Sequence, residues 1–187
     1  MSGRTSALEV RLNARLHAVQ RGDRYEDPLA FWLEERFPGS RVLAAGTLVS
    51  PLGEPLSCAV RAEVVGDEAE VLTGVVAFLE EVGTPKGSLA LVGDLEPREF
   101  GSNEGLALYL DGTSLSPEIY AALDVNEFLD ELHESLGGTG TIQGFWESDD
   151  TTAVYLYGRS AELMESSIAE LLGVHPLARG SHLDRIA

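Results

Sequence analysis

Two short runs of this sequence concentrate carboxylates: Glu127, Asp130, Glu131 and Glu134 in the first, and Glu147, Asp149 and Asp150 in the second, with Trp146 directly before it. The first run has helical spacing, so its four side chains share one helix face. The second falls on a polar turn, Ser148-Asp149-Asp150. Carboxylates arranged this way set up a negative field that speeds encounter with cationic partners and repels nucleic acid and anionic lipid. Tryptophan is among the residues that most often anchor protein interfaces. The chemistry these residues suggest is recognition of a basic protein, with Trp146 as anchor and the seven carboxylates as field.

Other chemistries lack their signatures. The segments Gly137-Gly-Thr-Gly140 and Gly83-Thr-Pro-Lys-Gly-Ser88 superficially resemble phosphate loops. A phosphate cradle, however, follows a strand and opens a helix, whereas both of these follow a helical pattern and open a strand pattern. The four histidines, His17, His133, His175 and His182, form no pair at metal-ligand spacing, and none is near Cys58 in sequence. Asp149-Asp150 lacks the spaced ligands and central glycine of a calcium loop. No Gly-x-Ser-x-Gly elbow is present, and Cys58 sits in the apolar strand pattern Leu56-Ser-Cys-Ala-Val60, the setting of a buried, inert thiol. Carboxylates are too numerous for any one pair to stand out as general acid and base. The reading is therefore non-enzymatic, with no catalytic residue, metal or cofactor assigned.

Tyr109, Phe145 or Trp146, Tyr155 and Tyr157 fall on strand patterns, and a sheet of the expected topology can stack RNA bases on such rings. Charge argues against that use. From Glu99 to Gly158 the chain runs sixty residues with no lysine or arginine and twelve acidic residues, and without basic side chains phosphate contacts are lost. Two readings of the rings stay open. They pack inside, or they form an exposed patch rimmed by Glu147, Asp149 and Asp150.

The net charge of −18 is regional, since residues 1–41 hold seven basic against six acidic side chains and residues 42–187 hold six against twenty-five. At 187 residues and 44% hydrophobic the chain has material for one large or two small cores. A lone cysteine excludes an intrachain disulfide framework and suits a reducing compartment. No apolar run reaches bilayer-spanning length, and the first residues lack the apolar centre of a signal peptide. These features predict a soluble, cytoplasmic protein that binds neither membrane nor nucleic acid.

The elements that would position these residues are legible. Leu106, Leu108 and Leu110 alternate as in a strand. A helix begins at Asp124, buries Val125, Phe128, Leu129, Leu132 and Leu136, and stops at Gly137-Gly138, with Asp124 and Glu127 as a capping pair. Strands follow at about 140–147 and 151–157, then a helix from Ser160 to Gly173, then a short strand from His182 to Ile186. That order is the split βαβ arrangement of ferredoxin-like domains. An earlier stretch reads as helix 27–37, strands 41–49 and 57–65, helix 68–82 and strand 87–92. It is preceded by a helix over about residues 5–20, with Leu8, Leu12, Leu16 and Val19 as its stripe and Arg4, Arg11, Arg15, Arg21 and Arg24 making the region basic.

The two stretches align in order. Asp27–Glu34 falls on Asp124–Glu131, Gly46-Thr47-Leu48 on Gly140-Thr141-Ile142, Ala59-Val60 on Ala153-Val154, Ala69-Glu70-Val71 on Ala161-Glu162-Leu163, and Gly87-Ser88 on Gly180-Ser181. A diverged duplication has this appearance. The expectation is an α+β chain of two ferredoxin-like (split βαβ) repeats with antiparallel sheets, helices packed on one face and an extra N-terminal helix. Its parts would be a basic helix at 1–24, a first repeat at 25–92, a linker at 93–104 and a second repeat at 105–187.

The run Glu104–Thr113, with Gly144-Phe-Trp-Glu147, Thr152–Gly158 and the ending from His175-Pro-Leu to Ile186-Ala187, resembles an uncharacterised family of small acidic bacterial proteins. In size, acidity and α/β character the chain is also similar to immunity proteins that neutralise bacterial toxins. That likeness implies an acidic inhibitor of a cationic toxin. Two further readings are a small-molecule-binding protein or enzyme with a pocket between the repeats, and a homo-oligomer joined through the aromatic sheet face.

Overall fold

Leu8, Val10 and Leu12 are buried while Thr5, Ala7 and Arg11 are not, the alternation that strand geometry imposes and a helix cannot. The computed structural model, which describes residues 5–187 and only the backbone of 120–122, makes Thr5–Leu12 a strand, β1. The expected helix over residues 5–20 is thus corrected, and only Ala18–Arg21 (α1) is α-helical there. The leucines at 8, 12 and 16 fit both periods. Tertiary pairing decides, because β1 lies between two antiparallel neighbours. Arg4 lies outside the described residues.

After α1 come a π-helical turn (Gly22–Glu26), α2 (Asp27–Arg36), β2 (Arg41–Val49), β3 (Pro55–Val65), α3 (Glu68–Val82), β4 (Ser88–Val92) and β5 (Arg98–Phe100). The sheet order is β2-β3-β1-β4-β5, all neighbours antiparallel. With β1 in place of the expected N-terminal helix, the first repeat is a complete split βαβ unit. Val10, Val60, Val64, Ala90 and Val92 from the sheet meet Leu29 and Leu33 of α2 and Val71, Val75 and Leu79 of α3 in one core. Each of these valines and leucines contributes about 1.5–3 kcal/mol on burial. Trp32 stacks on Phe78 at 5.1 Å, and Gly74 of α3 leaves room for the Trp32 ring: a Cβ there would stand 2.9 Å from it.

Residues 93–104 are not a linker. β5 pairs with β4 and Phe100 enters the first core, so this unit runs on to Ser102 and the second begins at Asn103. The basic N-terminal segment expected as a separate part supplies a central strand of the first unit.

The second unit comprises β6 (Glu104–Asp111), α4 (Pro117–Ala122), α5 (Val125–Leu136), β7 (Gly140–Glu147), β8 (Thr151–Gly158), α6 (Ala161–Val174), a 3-10 turn (Pro176–Ala178) and β9 (His182–Arg185). Its order, β7-β8-β6-β9, repeats that of β2-β3-β1-β4. Both units are therefore ferredoxin-like α+β folds with an antiparallel sheet. Asp124 caps α5 by accepting from the Asn126 N–H at 2.8 Å, and Gly137 ends the helix with φ +54°; a cap of this kind is worth about 1 kcal/mol. Phe128, Leu132 and Leu136 of α5 and Met164 and Ile168 of α6 pack on Leu106, Leu108, Val154 and Leu156.

The aligned segments fall on equivalent elements, α2 with α5, β2 with β7, β3 with β8 and α3 with α6, and the last pair, Gly87-Ser88 and Gly180-Ser181, stands at the entries to β4 and β9. Within the first hairpin strand the residue match is displaced. Gly46 lies inside β2 opposite Ala59, whereas Gly140 opens β7 opposite Gly158.

Candidate functional site

In the second unit, the end of β6, the start of α5, the end of β7 and the start of β8 enclose a cleft of about 650 Å³. Four carboxylates line it, Asp111, Asp124, Glu127 and Glu147, together with the apolar Leu110, Leu123, Val125 and Leu177, and among the described residues no basic side chain does. The topology causes this convergence. β6 and β8 are antiparallel neighbours, so Asp111 at the end of one stands opposite Thr151 at the start of the other. Glu147 at the end of β7 pairs with Thr152. The helix α5 starts above that sheet end, and its first turn delivers Asp124 and Glu127. Unpaired N–H groups of a first helical turn carry partial positive charge, which favours carboxylates at these two positions.

Asp111 is held by its own loop. Its Oδ1 accepts from the Thr113 N–H at 2.9 Å and the Ser114 N–H at 2.7 Å, and its other oxygen from the Ser114 hydroxyl. These bonds, the Ser114 hydroxyl first, keep the carboxyl below its ordinary pKa. Asp111 also borders a neighbouring cavity of about 250 Å³, shared with Asp150, Tyr109 and His182. There the His182 ring stacks on Tyr109 at 4.8 Å.

The expected site residues divide into three groups. Glu127 and Glu147 come together at the cleft. Asp130, Glu131 and Glu134 are exposed on the outer face of α5, away from the cleft lining. Asp149 and Asp150 are exposed on the β7–β8 turn, where Ser148 donates to Asp150 at 2.9 Å.

Trp146 requires correction as the anchor. It is 8% exposed and packs with Ala107, Ala153, Tyr155 and Tyr157 on the sheet face opposite the helices. The aromatic patch is thus interior. The bulge between Ile142 and Gly144 sets the outcome: it inserts Gln143, and beyond it Trp146 lies across from Ala153 on the aromatic face. Phe145, 52% exposed, lies across from Val154 on the other face and is the ring that solvent reaches.

Sequence reasoning did not single out Asp111, and it treated Asp124 only as a cap. The signal for Asp111 was a carboxylate ending a strand and followed by Gly-Thr-Ser, whose hydrogen-bonding residues fix such a turn.

Cys58 is buried, its thiol donating to the Ala14 carbonyl at 3.2 Å, and burial raises its pKa. It is placed for packing rather than attack. Among the described residues no three His, Cys, Asp or Glu side chains are grouped to hold a metal ion, and no helix is long and apolar enough to cross a membrane.

No protein-family model matches the chain, and no curated protein does. Solved structures similar to it include an unknown protein from Galdieria sulphuraria, at 12% identity over 97% of this chain and 96% of that one with a TM-score of 0.28. Others are the regulatory subunit of aspartate kinase from Thermus thermophilus (13%, 91% and 97%, TM-score 0.26) and the first two RRM domains of the yeast poly(U)-binding protein (12%, 97% and 99%, TM-score 0.26). Overlaps this loose carry no inference about activity.

Proposed function

We propose that this protein is a non-enzymatic binding module whose second unit holds a cationic segment of a protein partner. The observation that supports it is the convergence of Asp111, Asp124, Glu127 and Glu147 from three parts of the chain on one cleft with apolar walls. The second unit has fifteen acidic and three basic residues, so a positive ligand meets an attractive field on approach. An arginine or lysine side chain matches such a cleft: its stem lies along Leu123, Val125 and Leu177 and its charged head reaches the carboxylates. Glu131, Glu134, Asp130, Asp149 and Asp150 steer from outside the cleft, and Phe145 replaces Trp146 as the exposed ring. In its most concrete form the partner is a cytoplasmic toxin with a basic active site, and this chain is the immunity-type inhibitor covering it.

The test uses an arginine-rich peptide as ligand, a glutamate-rich peptide as control, and a salt series. Reversing the cleft with Glu127→Lys and Glu147→Lys lowers peptide affinity about tenfold or more, as expected for loss of close charge pairs. The same charge change on α6, through Glu162→Lys and Glu170→Lys, costs much less. Equal losses from both pairs, or binding that ignores salt, would reject the cleft as the site.

A further inference from the structure

The strand β2 is an edge of the first sheet, with β3 on one side and, among the described residues, no strand on the other. Every second residue of such a strand directs its N–H and C=O away from the sheet, and natural edges are commonly protected by lysine, proline or inward-pointing charge. β2 carries none of these, and its two register irregularities against β3, a further kind of edge protection, confine free pairing to the stretch between them. Residues 42–53 contain no charged side chain, and the flanking Arg41 and Glu54 are each engaged in ion pairs, with Glu63 and Arg15. The β2–β3 hairpin also presents Leu43, Leu48, Val49, Leu52 and Leu56 to solvent, at 58%, 64%, 47%, 79% and 37% exposure. Scattered exposed leucines are ordinary, but three large apolar side chains on the edge strand, Leu43, Leu48 and Val49, with Leu52 on the turn and Leu56 at the start of β3, mark an interaction surface.

We propose that the occupant is a second copy of this chain, with β2 pairing antiparallel to β2 about Gly46 so that the two five-stranded sheets become one. Electrostatics favours this occupant. A chain of net charge −18 repels its copies, and this uncharged edge is where two copies can meet with the least local repulsion. A cationic partner gains nothing from it.

Geometry sets the centre. Register shifts against β3 occur between Val42 and Ala44 and between Leu48 and Val49, which leaves Ala44–Leu48 as the regular stretch with Gly46 at its middle. Antiparallel pairing about Gly46 places each Leu48 across from Ala44 of the other copy, large against small, on the face that Gly46 shares. Space is available at the centre, because a Cβ at Gly46 meets no atom within 4 Å.

The experiment is sedimentation equilibrium of the full chain, with three variants. The wild type forms a dimer. Gly46→Lys, which the open space accommodates, sets two ammonium groups face to face across the dyad and yields monomer at concentrations where the wild type is dimeric. Gly46→Cys forms a disulfide-linked dimer on mild oxidation, since directly opposed residues in antiparallel pairs lie about 4.5–5.5 Å apart at Cα, within disulfide reach. Gly173→Cys, at an equally open position on α6, forms none. A monomeric wild type, an open-ended polymer, a Gly46→Lys protein that stays dimeric, or equal cross-linking through both cysteines would each overturn the proposal. Circular dichroism of each variant shows that it is folded.

Discussion

Arg21 and Thr47 are 26 residues apart in sequence and 2.6 Å apart in the fold, the guanidinium Nη1 donating to the threonine hydroxyl. That hydroxyl donates in turn to the Leu16 carbonyl at 2.8 Å, and Arg21 Nε is ion-paired with Glu26. The network fastens the helical entry of the first unit to its edge strand. Arg21 is buried, so removing its counter-charge leaves an uncompensated cation in a poorly solvated site. Glu26→Ala is expected to cost about 3 kcal/mol, the low end for breaking a buried pair because Glu26 keeps some solvent contact. The apolar double replacement Arg21→Met with Glu26→Leu costs less than that single change. Urea unfolding of the three variants checks the order.

Trp146 behaves as a core residue. Trp146→Ala is expected to lower stability by about 3–5 kcal/mol, the usual cost of truncating a buried aromatic ring. In a Trp32→Phe background its emission is blue-shifted and resists acrylamide quenching, and adding an arginine-rich peptide leaves both unchanged. A red, readily quenched emission would return Trp146 to the surface.

Gly158 is fixed by close approach. A Cβ there would collide with the Thr139 carbonyl oxygen and stand 2.9 Å from Gly140 Cα and 3.0 Å from Met164 Sδ. Gly158→Ala therefore forces β7, β8 and α6 apart and costs about 2 kcal/mol, in the range for overpacking a core. Thermal melting reads the loss. Gly173→Ala, where nothing lies within 4 Å, has no such penalty.

Ser114 sets the titration of Asp111. Its hydroxyl is the largest cause of the lowered pKa, so Ser114→Ala moves the Asp111 carboxyl upward, toward its ordinary value. Carboxyl carbon shifts followed against pH measure this directly. For an acid whose folded pKa lies below its unfolded one, the stabilising contribution is present above the unfolded pKa and disappears as pH falls through the folded value. The loop from Asp111 to Ser114 is thus expected to loosen only on acidification, and at a higher pH in the variant.

Most of the second unit was legible in advance. The strand from Gly140 to Glu147 and the helix beginning after Asp124 stand where their patterns placed them, because alternation, a side-chain cap and a glycine stop are local signals. β1 was not legible in the same way. Leu8, Leu12 and Leu16 satisfy a helical stripe as well as Leu8, Val10 and Leu12 satisfy a strand, and the choice between them is made by β3 and β4, some fifty and eighty residues away. β5 was missed because three residues carry no period, and its role follows from Phe100 reaching the core.

Acidity and the split βαβ order of the second unit were written in the linear chain: the charge comes from composition, and the pattern from hydrophobic period and turn residues. Tertiary structure alone decided which carboxylates act together. Glu127 and Glu147 share a cleft with Asp111 and Asp124, while Asp130, Glu131 and Glu134 lie outside its lining, since only pairing across β6, β8 and β7 determines which ends meet. It also decided that Trp146 turns inward and Phe145 outward, because one inserted residue in β7 reverses the faces of everything after it.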